Sequence, residues 1–372
     1  MREDWDIRLF KDVFDLQMGK TPDRKNFSLF EGDNTWVSIK DLDGKYISSS
    51  KECISDEAAK NIKLVKRGTV IMSFKLTVGK TAIAGKDLYT NEAIMAFNLR
   101  NGYDIDASFL YYYLKNYRWE GSNKAVMGIT LNKATISKHK IAIPPKPTQL
   151  SIVSELDKLN ELIRIKKEQL KDYDTLAQSI FYETFGDPVV NDKKWEVKQL
   201  KDVSTLLNGR AYKQQELLDK GKYKVLRVGN FFTNSTFYYS DLELDDDKYC
   251  EYGDLLFAWS ASFGAFIWNG DKVIYHYHIW KVLFDKECLD IHYYRYLLNT
   301  MTSFFMNDVH GIGMVHLTKS GMEQYVLPIP PLPLQQSFAH KIEQIDRQKA
   351  AVQRTIKDLE TLLAVRMQYW FE

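Results

Sequence analysis

A colinear internal repeat runs through this chain of 372 residues and limits the folds that it can adopt. Short segments of the first half recur in the same order in the second half. The matched pairs are Trp5–Arg8 with Trp195–Lys198, Lys11–Val13 with Lys201–Val203, Gly19–Lys20 with Gly209–Arg210, Gly68–Phe74 with Gly253–Trp259, Asp106–Leu110 with Asp290–Tyr294, Ile143–Pro147 with Ile329–Pro333, and Lys171–Leu176 with Lys357–Leu362. Because similar sequences fold alike, the repeat predicts two copies of one structural module.

Each copy is expected to begin with a compact, β-rich domain. In the first copy, Val70–Met72 and Ala93–Phe97 are apolar runs of strand-forming residues between Gly, Asn and Asp turns. Phe109–Leu114 is strongly apolar and predicts a core helix, whose tyrosines at 111–113 are expected to pack rather than to stack on bases. The prolines at 144, 145 and 147 interrupt regular structure and are expected to end the domain.

A long helix with a coiled-coil pattern is predicted after each proline cluster. Its apolar residues alternate at spacings of four and three, which is the period of a coiled-coil seam. The seam residues are Leu156, Leu159, Ile163, Leu170 and Tyr173 in the first helix, and Ile342, Ile345, Val352, Ile356, Leu359 and Leu363 in the second. Lys166 and Lys349 each interrupt a seam once, which can fix its register. Neither proline nor glycine occurs from Ser151 to Phe185, so the first helix can be ~50 Å long.

The order of these parts predicts the architecture. Only the short segment 186–192 separates the first helix from the second module, so the second helix must return along the first. We therefore expect an α+β fold: two similar, mixed β-rich domains joined by two long antiparallel coiled-coil helices, with a pseudo-two-fold repeat. The helices would hold the domains ~50 Å apart, somewhat more than one turn of a DNA duplex at ~34–36 Å.

Charge distinguishes the two copies, although the net charge of the chain is only +2. Residues 1–145 hold 23 Lys and Arg against 18 Asp and Glu, a net of +5, whereas residues 195–330 hold 14 against 17, a net of −3. Binding of nucleic acid by the second domain would therefore depend on local patches rather than on an overall positive field.

Several classes of protein are disfavoured. The sequence has no Walker, HExxH or paired CxxC motif, and nothing that resembles a catalytic site recurs in both copies. No apolar run reaches the ~18 residues of a membrane span, and the charged start is unlike a signal peptide. Cys53, Cys250 and Cys288 are widely separated and favour packing roles in a reducing cytoplasm. We therefore expect neither a metal, nor a cofactor, nor a membrane partner for this chain.

Loops rich in Gly, Lys, Ser, Thr and Asn are candidates for contact with DNA, because these residues bind phosphates and base edges. Two loop pairs occupy equivalent positions, 73–81 with 258–264 and 121–128 with 310–316. The predicted DNA contacts are Lys20, Lys75, Thr77, Lys80, Thr81, Asn123, Lys124, Arg210, Trp259, Ser260, Ser262, His310 and His316. The alternative interpretation is that these are ordinary solvated turns. His276 and His278 alternate along one run, but without a third ligand a metal site is the weaker interpretation.

Two further patterns frame each copy. The opening pattern Trp-x-hydrophobic-x-x-Leu/Phe-x-Asp-Val occurs at Trp5–Val13 and Trp195–Val203. A closing run of hydrophobic residues and prolines that ends in Gln occurs at Ile141–Gln149 and Leu327–Gln335, each followed by a heptad helix. Over essentially its whole length, the chain resembles the specificity (S) subunit of type I restriction-modification systems.

The resemblance implies target-recognition domains at 1–147 and 191–333 and conserved coiled-coil helices at 148–190 and 334–372. It implies a non-catalytic subunit that recognises a bipartite, asymmetric site in double-stranded DNA. Two modification (methyltransferase) subunits would dock on the helices, and restriction subunits would join them. Adenine methylation with S-adenosylmethionine and cleavage with ATP and Mg²⁺ would belong to those partners.

Two other interpretations remain open. The first is a duplicated protein-docking scaffold that does not contact DNA. The second is an enzyme, such as a fused nuclease or methyltransferase, which the missing motifs disfavour.

Overall fold

A computed structural model describes residues 4–119, 131–232, 236–260, 262–307 and 317–372, together with the backbone of 124–125 and 128–129. The chain forms two compact units, Met1–Lys167 with Thr355–Glu372, and Glu168–Arg354. Each unit combines one β-rich domain with part of each long helix. The predicted α+β fold with a duplicated domain-and-helix plan is therefore confirmed, whereas the ~50 Å spacing of the domains stays a prediction.

The described part of the first domain contains two larger sheets and two pairs of strands. Its strands and helices are β1 (Asp6–Leu9), α1 (Phe10–Val13), β2 (Phe14–Met18), β3 (Asn34–Val37), β4 (Tyr46–Ile47), β5 (Glu52–Ile54), α2 (Asp56–Ala59), β6 (Val70–Ser73), β7 (Thr81–Ala84), β8 (Tyr89–Thr90), β9 (Ile94–Leu99), α3 (Ala107–Asn116), β10 (Lys124–Ala125), β11 (Gly128–Ile129), α4 (Lys133–Lys138), β12 (Lys140–Ile143) and the first long helix α5 (Lys146–Phe185). Strand order is β2-β9-β6-β7-β4 in the larger sheet and β5-β3-β8 in the smaller. β1 pairs with β12, which joins the start of the domain to its end.

The second domain repeats this plan. Its elements are β13 (Glu196–Gln199), α6 (Leu200–Val203), β14 (Ser204–Asn208), β15 (Tyr223–Leu226), α7 (Val228–Phe232), β16 (Tyr238–Ser240), β17 (Tyr249–Cys250), β18 (Leu255–Ser260), β19 (Ser262–Ile267), β20 (Val273–Tyr275), β21 (Ile279–Phe284), α8 (Ile291–Asn307), α9 (Lys319–Met322), β22 (Val326–Ile329) and the second long helix α10 (Leu332–Phe371). The sheet orders are β14-β21-β18-β19 and β16-β15-β20-β17. The repeat extends to register, since Asp6 lies opposite Ile143 and Glu196 opposite Ile329.

One helix closes the core of each domain. α3 packs on β6 and β7, and α8 packs on β19. Tyr111, Tyr112 and Tyr113 of α3 are 5%, 3% and 7% exposed, so the predicted packing role of these rings is confirmed. Asp106 caps α3 and Asp290 caps α8, each accepting hydrogen bonds from two backbone N–H groups of the first turn.

The long helices begin inside the proline clusters rather than after them. Pro147 lies in the first turn of α5 and Pro333 in the first turn of α10, so each helix begins two residues before the predicted starts at 148 and 334. Proline is tolerated in a first helical turn because the missing N–H would have no partner in the helix.

The two long helices run antiparallel within each unit, as predicted. In the first unit, Nη2 of Arg366 donates to Glu155 at 3.0 Å, and Lys167 pairs with Glu360 at 2.7 Å, so the partner numbers fall as the α5 numbers rise. In the second unit, the seam residue Lys349 pairs with Asp174. The rings of Phe181 and Phe185 pack on the ring of Phe338.

The predicted coiled-coil seam is buried within the chain. Leu156 and Ile342 are fully buried, and the remaining seam residues lie at most partly exposed: Leu159, Ile163, Leu170, Tyr173, Ile345, Val352, Ile356, Leu359 and Leu363. Because these side chains pack inside the units, contact with other proteins would fall to the outer faces of the helices. The three cysteines are free thiols. Among the described residues, no helix is long and apolar enough to cross a membrane.

Candidate nucleic-acid interface

In the first domain, two parallel strands end side by side. Val37 at the end of β3 lies opposite Thr90 at the end of β8. The N–H of Asn91 donates to the carbonyl of Val37 at 3.0 Å, and the N–H of Lys20 donates to the carbonyl of Thr90 at 2.9 Å. The parallel pairing therefore brings Lys20, Ser38 and Asn91 to one place, which we call the first strand-end edge.

The second domain has the same arrangement. Leu226 at the end of β15 lies opposite Tyr275 at the end of β20. The N–H of His276 donates to the carbonyl of Leu226 at 2.9 Å, and the N–H of Arg210 donates to the carbonyl of Tyr275 at 3.0 Å. Arg210, Arg227 and His276 thus form the second strand-end edge, at positions equivalent to those of the first.

A glycine makes each edge possible. A Cβ atom on Gly19 would lie 2.1 Å from the carbonyl oxygen of Thr90, and one on Gly209 would lie 2.3 Å from that of Tyr275. Both distances are far below van der Waals contact, so each position requires glycine. The repeated glycine followed by a cation, noted in the sequence, therefore has a structural cause: the close approach of the glycine sets the next residue at the edge.

The cations at the two edges differ in their surroundings. Lys20 is exposed and has no ion pair within the described part of the chain. Arg210 instead donates to both carboxylate oxygens of Glu216, at 2.9 and 2.8 Å, and this pairing lowers the pKa of Glu216 to about 2. The charge of Arg210 is thus balanced by Glu216, and the contact of Arg210 with DNA stays a prediction.

A cleft of about 510 Å³ opens beside the second strand-end edge. The polar residues that line it are Arg227, Asn230, Thr236, Tyr238, Ser260, Ser262, His276 and His278. We call it the second-domain cleft. It combines hydrogen-bond donors with acceptors in a concave surface, which is the chemistry that a base edge requires.

His276 is held as a neutral imidazole. Its Nδ1 lies 3.4 Å from the backbone N–H of His278 and accepts a hydrogen bond from it, which places the ring proton on Nε2. Burial, then the nearby His278, then the charge of Arg227 together lower the pKa of His276 to about 4. Among the residues that the structure describes, no group of three His, Cys, Asp or Glu side chains could hold a metal ion.

The first hairpin loop of the predicted contact set lies between β6 and β7. Leu76 and Gly79 have positive φ angles of 62° and 90°, so the loop is irregular. Thr77 and Lys80 are exposed on it, and Lys75 is partly exposed, with Nζ 5.5 Å from the ring of the preceding phenylalanine. These three residues remain predicted DNA contacts.

Thr81 is less accessible than the three residues of this loop, and its contact with DNA stays a prediction. Its side chain is 8% exposed in β7, and its hydroxyl donates to the carbonyl of Gly79 at 3.0 Å. β7 lies between β6 and β4, so the sheet covers both of its edges.

The equivalent hairpin of the second domain is regular. The ladder between β18 and β19 extends to the pair formed by Ser260 and Ser262. Ser260 is only 1% exposed, and the ring of Trp259 stacks on Trp280 at 5.3 Å while its Nε1 donates to the carbonyl of Tyr277. Ser260 and Ser262 both line the cleft, and of the two only Ser262 is partly exposed. The contacts of Trp259, Ser260 and Ser262 with DNA stay predictions.

Apart from the backbone of 124–125 and 128, the second predicted loop pair lies outside the described residues. Asn123, the side chain of Lys124, His310 and His316 fall in these segments. Their contact with DNA stays a prediction.

Ser38, Asn91, Arg227 and Asn230 were not among the residues predicted from the sequence. Each follows or faces a strand end that only parallel pairing brings into place. One signal was present: the offset of 185 residues that relates the β6 and β18 segments also relates Asn91 to His276.

Comparison with known proteins agrees with this duplicated architecture. A family model described as a type I restriction modification DNA specificity domain matches residues 2–172 and 192–361. The MjaIX type I restriction enzyme specificity subunit of Methanocaldococcus jannaschii is 26% identical over 371 residues, which cover 90% of this chain and 85% of the relative. The MjaVIII specificity subunit of the same organism is 21% identical over 407 residues, 97% of this chain and 92% of the relative.

Solved structures share the fold. The S subunit of a type I restriction-modification system from M. genitalium superposes with a TM-score of 0.54 at 13% identity, over 99% of this chain and 96% of that chain. A chain from a structure concerned with complex assembly and conformational transition of the type I R-M system gives a TM-score of 0.62 at 17% identity, over 100% of this chain and 98% of that chain.

Proposed function

Because this chain belongs to the family of type I restriction-modification specificity subunits, we propose that it recognises a bipartite, asymmetric site in double-stranded DNA. In this role the first domain reads one half-site and the second domain reads the other. The chain itself is non-catalytic and directs partner subunits, which methylate adenine or cleave, to the site.

The proposal rests on one observation: the two domains share the backbone arrangement of the strand-end edge but carry different side chains on it. At equivalent positions the first strand-end edge has Ser38 and Asn91, and the second has Arg227 and His276. Two readers of unlike sequences need the same placement but different hydrogen-bond donors and acceptors. A pure docking scaffold has no such need, because two identical partners would select identical surfaces.

The partners follow from the same role. Two modification subunits would supply S-adenosylmethionine, and restriction subunits would supply ATP and Mg²⁺. The outer faces of the long helices carry exposed apolar side chains suited to docking: Leu150, Leu162, Ile165, Leu176, Leu362, Val365 and Tyr369. We expect the complex to act in the cytoplasm, where it meets the DNA.

An exchange of one domain tests the proposal. Residues 195–330 are replaced by the corresponding segment of a relative with a different specificity, and the chain is co-expressed with its modification subunits. Sequencing that detects methylated adenine then gives the recognised site. We expect one half-site to change and the other to persist, with the reciprocal result when residues 5–145 are exchanged.

Two outcomes would contradict the proposal. A methylated site unaffected by either exchange would favour the scaffold that does not contact DNA. A change of both half-sites on exchange of a single domain would show that the domains do not read independently.

A further inference from the structure

We infer that Arg227 reads a guanine in the half-site bound by the second domain, with its guanidinium donating to O6 and N7 of that base in the major groove. The inference rests on the proposed function, because it names the chemistry by which one of the two domains would read its half-site. It concerns a residue that lines the second-domain cleft and that follows directly after β15.

The backbone of Arg227 is held on both sides. Its N–H donates to Oδ1 of Asn230 at 2.8 Å, and its carbonyl accepts the N–H of Asn230 at 2.9 Å. The preceding residue, Leu226, accepts the N–H of His276 at 2.9 Å. The side chain therefore extends from a fixed base, which reduces the conformational freedom lost when it binds.

The guanidinium of Arg227 is available, unlike those of other cations nearby in the sequence. Arg210 pairs with Glu216, and Lys222 pairs with Glu243. Arg227 is exposed, lies 5.3 Å from the ring of Tyr238 and makes no ion pair in the described part of the chain. In a domain whose net charge is negative, it is a local positive group of the kind that DNA binding requires.

The neighbours of Arg227 favour a base edge over a phosphate. His276 is neutral, and Ser262 and Asn230 are uncharged, so the cation stands among neutral hydrogen-bonding groups. A phosphate is usually held by several cations or by clustered backbone N–H groups. A single arginine with two parallel donors matches the two acceptors that guanine presents in the major groove, which is the commonest specific contact of its kind.

The test uses the full chain in complex with its modification subunits. The methylated site of the wild-type complex is first determined. Affinities are then measured for a set of duplexes in which each base pair of the second half-site is replaced in turn, with wild-type, Arg227→Ala, Arg227→Lys and Lys220→Ala chains. Lys220 is an exposed lysine of the same domain that does not line the cleft, so it serves as the charge-matched control.

We expect the wild-type complex to lose about 5- to 150-fold in affinity when one particular G·C pair is replaced. With Arg227→Ala this ratio should fall to about one at that pair only, while the ratios at the other pairs persist. Arg227→Lys should keep part of the preference, because lysine donates from a single point. Lys220→Ala should leave every ratio unchanged.

Several results would overturn the inference. Equal weakening on all duplexes would identify a phosphate contact, and unchanged ratios would remove Arg227 from the interface. A second half-site without guanine would exclude the assignment directly. If the Arg227→Ala chain fails to assemble with the modification subunits, the affinity ratios measured with Arg227→Lys test the inference instead. Failure of the proposed function looks different, because the wild-type complex itself would then show no two-part site.

Discussion

Gln149 holds Asp106: its side-chain carbonyl accepts the backbone N–H of Asp106 at 2.8 Å. Its amide group donates to the carbonyls of Asp104 at 3.1 Å and Pro144 at 2.9 Å. Since Asp106 caps α3 and Gln149 lies in the first turns of α5, these bonds join the recognition domain to its long helix. Gln149 is only 1% exposed, so water cannot replace the bonds.

The second copy repeats this junction bond for bond. Gln335 accepts the N–H of Asp290 at 2.9 Å and donates to the carbonyls of Cys288 at 2.9 Å and Pro330 at 2.7 Å. The orientation of each domain on its helix is therefore set by the same buried amide.

Loss of this amide should destabilise the chain. Gln149→Leu leaves the N–H of Asp106 and two carbonyls without partners in a buried place, so we expect a loss of about 2–4 kcal/mol in the free energy of unfolding. Gln335→Leu should act similarly. Urea denaturation of the full chain measures the loss. Gln178→Leu, at an exposed position of α5, is the control and should change stability little; an equal loss in both would refute the role of the buried amide.

Substitutions of Gly19 and Lys20 should affect different properties: the first the stability of the chain, the second its binding of DNA. Gly19→Ala forces its Cβ against the carbonyl of Thr90, so the backbone must shift and we expect a loss of about 1–3 kcal/mol. Lys20→Ala removes an exposed side chain and should leave stability unchanged while it weakens binding of duplex DNA. Thermal unfolding and a filter-binding titration of the complex provide the two measurements. Stability that is unaffected by Gly19→Ala would contradict the close approach.

The hairpin loop of the first domain is predicted to hold phosphates through Lys75 and Lys80. Each phosphate contact contributes about 0.9 to the slope of log affinity against log salt. The double change Lys75→Ala, Lys80→Ala should therefore reduce that slope by up to about 1.8 on any duplex sequence. Lys86→Ala, an exposed lysine beyond the other end of β7, should leave the slope unchanged. A wild-type slope in the double variant would exclude the loop from the interface.

The buried imidazole of His276 should make the chain sensitive to acid. Burial is the main cause that lowers its pKa from 6.5 to about 4 in the folded protein. Below pH 6.5 the unfolded chain takes up a proton that the folded chain refuses, so this group lowers stability as pH falls from 6.5 to about 4. His276→Gln should reduce the loss of stability between neutral and mildly acidic pH, as urea titrations at both would show. His340→Gln, an exposed histidine of α10, should retain the wild-type loss.

Features that depend on neighbouring residues in the chain could be predicted, whereas features that depend on tertiary contacts could not. The heptad spacing predicted the burial of Leu156 and Ile342, because a helix places such residues on one face whatever surrounds it. The burial of Thr81 was not predicted, because it depends on the pairing of β7 with β6, in which Thr81 lies opposite Met72. The ion pair of Arg210 with Glu216 was not predicted either, because no sequence pattern shows that the loop brings this carboxylate back to the guanidinium.

The duplication, the α+β class and the antiparallel helices could be predicted from the sequence alone. The signals for them are periodic spacing, proline clusters and a short connection, which act locally or through chain length. The two strand-end edges could not be predicted in this way. Arg227 and His276 are far apart in the chain, and only the parallel register of β15 and β20 sets them beside one cleft. That register is fixed by packing of the whole domain, so the repeat could be seen in the sequence, while the different chemistry at its two equivalent edges emerged only from the fold.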